Sequence, residues 1–292
     1  MERCISKTPV KDIFIGKEHL ALIFRTLRMH GFNCGAYKAS YLERRVQTRL
    51  RSNHLNSYRD YYRLLRENPG ELKALLDVLT INVTGFFRDS DIYECLRLEV
   101  IPDILSLQNR EKRSVRIWSA GCATGEEPYS IAMLLLEALA GNCANHAISI
   151  YATDIDDRSL KAAAQGIYSP RKLETVPEAM AGKYFAYDDN YKVKDSIKSL
   201  IKFKKLDLLT DKGIKLCDAI FCRNVLIYFN QKDQEQVLKM FYEHLKPGGY
   251  LILGKTEIML SDMIHKFSNA GRKNVYKKSK AFSGQFDVIG RN

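Results

Sequence analysis

The chain has 292 residues, 46% apolar and 27% charged, an ordinary balance for a folded chain with a buried core. That balance excludes a disordered, collagen-like or coiled-coil chain. No apolar run reaches the length of a bilayer span or opens the chain as a signal peptide, so a cytoplasmic protein is expected. The formal charge of +12 is uneven: residues 1–75 carry 15 Lys and Arg against 7 Asp and Glu, and the remainder is nearly balanced. A basic first third suggests docking to something acidic, and charge alone admits nucleic acid, an anionic membrane or an acidic protein. Seven scattered cysteines without a C-x-x-C pair fit reduced thiols. The six histidines form no H-E-x-x-H, so no metal is expected.

The first 110 residues predict helices. Leu20, Ile23, Phe24 and Leu27 recur at helical spacing, as do Leu42, Val46 and Leu50 in a second segment that also carries Arg44, Arg45, Arg49 and Arg51. That basic stripe is either a docking face or simply a solvated one. Ser57 with Asp60 resembles a capping box opening a third helix through Leu64 and Leu65. Asn68-Pro69-Gly70 punctuates it, and a fourth helix is expected over about 71–79. A longer amphipathic stretch over about 91–107 should bend at Pro102.

From Ser114 the pattern changes. Val115 to Ala120 reads as a buried strand ending at Gly121, and Pro128 stands where a helix would begin. Ile148 to Thr153 predicts a second strand, followed by a helix over about 157–165. Asp218 to Cys222 is another strand, Gln231 to Leu245 a helix stopped by Lys246-Pro247-Gly248-Gly249, and Tyr250 to Gly254 a strand. Asn274 to Lys277 predicts a last strand. Strands alternating with helices predict a doubly wound α/β sheet. Within it, segments 183–187, 191–194 and 200–204 read as a small antiparallel meander inserted before the third core strand, whose end carries Asp207. The expected organisation is a helical domain over 1–80, a linker and helix over 81–113, and an α/β domain over 114–292 with its β-subdomain at about 183–205.

The chemistry should sit at Gly121-Cys122-Ala123-Thr124-Gly125-Glu126-Glu127-Pro128, between a strand and a helix. Ligands of such sheets bind beyond the C-terminal strand ends, where glycines let backbone approach them. The G-x-x-x-G spacing is neither a dinucleotide fingerprint nor a Walker loop. Glu126 and Glu127 would repel a phosphate and suit hydroxyls or positive charge. Asp154 ends the next strand, where a carboxylate accepts from ribose hydroxyls. A nucleoside with a cationic group, such as S-adenosylmethionine, fits better than a dinucleotide. The plainer alternative is a glycine turn whose acids suit the helix dipole.

Two further clusters matter. Asn82-Val83-Thr84-Gly85-Phe86-Phe87-Arg88-Asp89 either lines a pocket or plugs the seam between domains with its phenylalanines. Phe221-Cys222-Arg223-Asn224-Val225-Leu226-Ile227-Tyr228-Phe229 leaves a strand end, so Arg223, Asn224 and Tyr228 can face the glycine turn. An Arg and a Tyr there suit a carboxylate acceptor, because guanidinium pairs with it bidentately. The amino-directed and Pro-Cys motifs of nucleic-acid methyltransferases are missing from this place. A non-catalytic adaptor would show a degraded glycine turn or a lost Asp154, and neither is seen.

Taken together these runs, with Ala152-Thr153-Asp154-Ile155-Asp156, Gly166-Ile167-Tyr168 and Lys246-Pro247-Gly248-Gly249-Tyr250, resemble the chemoreceptor protein-glutamate O-methyltransferases of chemotaxis. The resemblance implies a helical N-terminal domain, a Rossmann-like methyltransferase domain with an inserted antiparallel β-subdomain, S-adenosylmethionine as donor, and glutamates of receptor signalling helices as acceptors. It places Asn82, Thr84, Arg88, Gly121, Gly125, Glu126, Glu127, Asp154, Asp207, Leu208, Arg223 and Asn224 around the cofactor, with Arg88, Arg223 and Tyr228 as catalytic residues. Arg44, Arg45, Arg49 and Arg51 would dock the acidic receptor bundle. Some members grip a receptor tether with a glycine-containing hairpin loop. Here that loop is Tyr187-Asp188-Asp189-Asn190-Tyr191, so tether binding is not expected. Where the family often has Gly-His-Ser-Glu, this chain has Gly254-Lys255-Thr256-Glu257. A nucleic-acid methyltransferase docked by the basic domain is the alternative.

Overall fold

The computed structural model describes residues 17–79, 84–111, 114–139, 147–259 and 261–279. It divides into two compact units, residues 1–81 and 82–292.

The first unit is helical. Helix α1 (Lys17–Met29) buries Ile23 and Leu27, and α2 (Ala39–Ser52) buries Tyr41, Leu42, Val46 and Leu50, one face each. Ser57 caps α3 (Tyr58–Glu67) by accepting from Asp60 N at 3.1 Å. Helix α4 (Pro69–Leu79) starts two residues earlier than the apolar spacing indicates. Asn68 Oδ1 accepts from Gly70 N at 2.9 Å and Glu71 N at 3.2 Å, and Pro69 sits where a missing N–H costs nothing. The Asn-Pro-Gly run therefore starts a helix as much as it ends one.

The second unit opens with α5 (Ser90–Cys95), which runs through a wide π turn over Leu96–Val100 into α6 (Ile101–Glu111). Ile101 N reaches Leu96 O within that turn. The wide turn is how the helix takes Pro102, which has no N–H and whose ring would strike the carbonyl of Leu98. Ile92, Tyr93, Leu96, Val100 and Ile104 belong to the same core as Val115 and Ile117.

The large sheet is built from β1 (Val115–Ala120), β2 (Ile148–Asp154), β6 (Ile201–Lys205), β7 (Cys217–Cys222), β8 (Leu245–Leu253), β9 (Phe267–Asn269) and β10 (Val275–Lys278). Its order is β6-β2-β1-β7-β8-β10-β9. The first five strands run parallel, and β10 is antiparallel to both β8 and β9. Helix α7 (Glu126–Ala138) is buried from Glu126 to Leu136. Helix α8 (Asp157–Gln165) is capped by Asp156, and α11 (Gln231–His244) by Asn230. Trp118 is fully buried edge-on to Phe241, ring centroids 5.3 Å apart, and its Nε1 donates to Thr153 Oγ1 at 2.8 Å.

A small antiparallel sheet joins β3 (Ile167–Tyr168), β5 (Asn190–Val193) and β4 (Phe185–Asp188), in that order. It differs from the expected meander in one strand. Residues 201–205 are not its third strand but the edge of the large sheet, paired in parallel with β2 from Ile150↔Ile201 to Asp154↔Lys205. A short helix, α10 (Asp195–Lys198), leads the chain away from β5 and prevents a second hairpin. The third strand is Ile167–Tyr168, two residues long and too short to show a period. In the β4–β5 turn Asp189 has φ 56°, the left-handed conformation that glycine usually supplies. Asp189 therefore stands in the hairpin conformation without a glycine.

Candidate active site

The glycine turn leaves β1 with Gly121 at φ 80°, Ala123 at φ 46° and Gly125 at φ 93°. A Cβ on Gly121 would lie 2.4 Å from Val225 Cγ2, and one on Gly125 would lie 2.8 Å from Ala163 Cβ, so both positions demand glycine on two counts. Gly121 N and Cys122 N both donate to Thr153 O, at 2.8 and 2.9 Å. Asp154 completes the turn: its Oδ2 accepts from Ala123 N at 2.8 Å and its Oδ1 from Asp156 N at 3.0 Å. Burial raises the Asp154 pKa, and these backbone N–H groups counter only part of that rise. Leu206 N donates to Asp154 O at 2.9 Å, which sets Asp207 and the buried Leu208 just beyond the ends of β2 and β6. The Asp207 side chain turns back on its own loop, accepting from Leu209 N at 2.9 Å.

Both acids after the turn are buried. Glu126 accepts from Thr124 Oγ1 at 2.7 Å and from Lys172 Nζ at 2.8 Å. Glu127 accepts from Ser119 Oγ at 2.8 Å and faces Arg223 Nη1 at 3.5 Å. Its pKa is raised because burial outweighs Arg223 and Ser119.

Segment 84–89 is pinned along its length. Thr84 O accepts from Lys172 Nζ at 3.1 Å, Phe86 O from Thr175 Oγ1 at 2.6 Å, and Arg88 O from Arg223 Nη2 at 2.7 Å. Phe87 N donates to Ser130 Oγ at 3.1 Å. Phe86 is fully buried edge-on to Tyr168 and Phe185, and Phe87 packs edge-on to Tyr93. The two rings thus fill the α/β unit itself. Phe87 at φ 48° and Asp89 at φ 62° are strained, and Arg223 Nη2 holds Asp89 Oδ2 at 2.6 Å.

Arg223 leaves β7 and turns inward. Its guanidinium lies over the Tyr93 ring at 5.5 Å, and its Nε is buried without a hydrogen-bond partner. Burial opposes its charge, but Tyr93, Glu127 and Asp89 outweigh burial and raise its pKa. Asn224 has φ 61°, and its Oδ1 is buried without a partner. The loop that follows is fastened by Glu257, whose carboxylate accepts from Asn224 N, Val225 N, Leu226 N and Gly254 N. Asn274 Nδ2 donates to the carbonyls of Gly254 and Glu257. Tyr228 ends the short turn after Arg223 and is half-buried. Lys255 pairs with Asp91 at 2.7 Å and lies 3.7 Å from Asp89, so it braces the acid that Arg223 holds.

Residues 82–276 match the family model described as the CheR methyltransferase, SAM binding domain, and residues 19–80 match the CheR methyltransferase, all-alpha domain. The chain belongs to the CheR methyltransferase family. It is 34% identical to the chemotaxis protein methyltransferase of Borreliella burgdorferi, over 84% of this chain and 90% of that one. It is 36% identical to chemotaxis protein methyltransferase 2 of Vibrio cholerae, over 85% and 88%. The chemotaxis protein methyltransferase of Salmonella typhimurium is 34% identical over 84% of each chain.

As a CheR methyltransferase the protein takes its methyl group from S-adenosylmethionine and esterifies glutamate side chains of chemoreceptors in the cytoplasm. Among the described residues no helix is long and apolar enough to cross a membrane. The structure gathers Thr84, Arg88, Gly121, Gly125, Glu126, Glu127, Asp154, Asp207, Leu208, Arg223, Asn224 and Tyr228 along the C-terminal ends of β1, β2, β6 and β7 and the segments fastened to them. Asn82 lies outside the described residues. The chain pattern missed Lys172, Thr175 and Ser130, whose side chains hold the site together from 43 to 89 positions away. It gave Tyr168 no role, although the Gly-Ile-Tyr run marked it. The Tyr168 hydroxyl donates to Thr124 O at 2.6 Å.

Proposed function

We propose that the crevice at the ends of β1, β2, β6 and β7 holds the donor, with Gly121 and Gly125 as its floor. Asp154 would then face the ribose, Asp207 and Leu208 the base, and Thr84, Arg88, Glu126, Glu127 and Asn224 the methionine end. The observation that carries this reading is the buried Asn224 Oδ1 without a partner, on the loop whose next residue, Val225, packs against Gly121 of the turn. Asp154 also suits its role. Two backbone N–H groups leave it lone pairs for two hydroxyls, and an ionised carboxylate accepts about four hydrogen bonds.

When bound, the cofactor supplies an electrophilic methyl group on a sulfonium. A glutamate carboxylate is already ionised near neutral pH, so this chain has no proton to remove. Its task is orientation, which can contribute about 7–11 kcal/mol. Arg223 has its terminal nitrogens on Asp89, Arg88 O and Glu127. We assign it a positioning role, presenting Arg88 and the strained Asp89 turn, while Tyr228 lies nearest the transferred methyl.

For the receptor we propose docking on α2 through Arg44, Arg45 and Arg51. Arg44 and Arg51 are exposed, and Arg45 is half-buried with its guanidinium 5.5 Å from the Tyr41 ring centroid. Arg49 leaves this set. It makes a two-point ion pair with the buried Glu71, Nε–Oε1 2.9 Å and Nη2–Oε2 2.5 Å, and is a clamp between α2 and α4.

The test is to incubate the protein with methyl-labelled donor and receptor cytoplasmic fragments and to treat the product with mild base. Label released as methanol marks carboxyl methyl esters. Base-stable label would mean a different acceptor atom and overturn the reading.

A further inference from the structure

One short stretch of chain, residues 168–175, reaches both loops assigned to the donor. Tyr168, in β3, donates to Thr124 O of the glycine turn at 2.6 Å. Lys172 Nζ donates to Glu126 Oε1 at 2.8 Å and to Thr84 O at 3.1 Å. Thr175 Oγ1 donates to Phe86 O at 2.6 Å. The stretch itself is anchored, because Tyr168, Leu173 and Val176 belong to the buried core of the α/β unit.

We propose that Lys172 is a positioning residue for binding of the methyl donor: its ammonium, bonded at once to Glu126 and to the Thr84 carbonyl, sets the spacing between the glycine turn and segment 84–88. The proposal rests on the assignment of those two loops to the donor. Two magnitudes decide that this ion pair is more than a surface contact. The Lys172 side chain is 43% exposed, and a pair exposed on both sides would contribute little. Its partner Glu126, however, is 0% exposed, and removing the cation from a buried carboxylate costs far more than the pair contributes. The only other partner of the Glu126 carboxylate among the described residues is the Thr124 hydroxyl of the same turn. Lysine also suits the task chemically. Its compact ammonium has three donors and can serve a carboxylate and a carbonyl from one point.

The experiment compares Lys172→Met, Lys172→Arg, Lys172→Met/Glu126→Gln, Thr175→Val and, as control, Asp154→Ala. Calorimetry with S-adenosylhomocysteine and steady-state methylation are the readouts. Lys172→Met should weaken the ligand about tenfold, the equivalent of ~1.4 kcal/mol. The donor KM should rise in step and kcat should change less. Lys172→Arg should restore most of the affinity. Lys172→Met/Glu126→Gln should bind better than Lys172→Met alone, because the stranded charge is gone. Thr175→Val, which removes a single hydrogen bond, should weaken binding about threefold. Wild-type affinity in a folded Lys172→Met protein, while Asp154→Ala is impaired, overturns the role of Lys172. Wild-type affinity in Asp154→Ala as well means that the loop assignment itself fails. If Lys172→Met does not fold, Thr175→Val decides: unchanged affinity there overturns the clamp. A lowered melting temperature with unchanged affinity at 25 °C also overturns it.

Discussion

Arg49 in the helical unit and Arg223 in the α/β unit both meet carboxylates, and they meet them differently. Arg49 lies flat against Glu71 with two parallel hydrogen bonds, and Tyr61 adds a third donor to the same carboxylate at 2.7 Å. Arg223 divides one nitrogen between a carbonyl and Asp89, reaches Glu127 only at 3.5 Å, and leaves Nε buried without a partner. The backbones differ in the same sense. In the helical unit the described left-handed residues are Gly31 and His54, each between two helices. In the α/β unit seven described non-glycine residues take that conformation: Phe87, Asp89, Ala123 and Asn224 at the ends of β1 and β7 or in the segment fastened there, and Asp189, Leu216 and Asn274 elsewhere. The first unit leaves Arg45 Nε buried without a partner, but its Arg49 pair is fully met, whereas in the second Phe87, Asp89, Ala123 and Asn224 meet the unpartnered Arg223 Nε and Asn224 Oδ1 at the ends of β1 and β7, as expected where a site is held ready for a ligand.

The largest effect should come from breaking the satisfied pair. Arg49→Ala strands the buried Glu71 and should destabilise the helical unit by about 3–5 kcal/mol in denaturant unfolding, with S-adenosylhomocysteine affinity unchanged. The pair also predicts an acid limb. Burial raises the Glu71 pKa, but Arg49, Tyr61 and Asn53 more than offset it, and the folded value lies below the ordinary 4.5. Near that value the unfolded chain binds more protons than the folded one, so stability rises with pH. The contribution of Glu71 is therefore complete above pH 4.5 and lost as pH falls through its lower folded pKa. Arg49→Ala should remove this acid limb, which unfolding curves from pH 3 to 6 will show. Retention of the limb would mean that another carboxylate produces it.

Arg223→Ala should act on turnover. Loosening the Arg88–Asp89 turn is expected to lower kcat by roughly a hundredfold, the scale of losing a preorganised donor. An effect confined to stability, with kcat intact in the folded variant, would make Arg223 a second Arg49 and dissolve the contrast. Asp154→Ala should weaken S-adenosylhomocysteine by about 1–3 kcal/mol, since it unlinks Ala123 N and removes acceptors for hydroxyls. The smallest effect belongs to the exposed arginines. Arg44→Ala with Arg51→Ala should raise the receptor KM a fewfold and flatten its salt dependence without touching donor affinity. Unchanged receptor KM at low salt would reduce the α2 stripe to a solvated face.

Much of this protein is written locally. Apolar spacing marks α1 to α4, the glycine turn marks the end of β1, and Asp154, Arg223 and Asn224 fall at strand ends that a reader can count to. Such features are legible because period, cap and turn depend on neighbours a few residues apart. Tertiary structure alone decided which arginine of α2 is a clamp, since Glu71 lies 22 residues from Arg49. It decided that residues 201–205 extend the large sheet while Ile167–Tyr168 complete the small one. It also brought Lys172 to Glu126 and Thr84, 46 and 88 positions away. No pattern along the chain encodes those meetings, because a buried carboxylate takes whichever cation the packed backbone delivers to it.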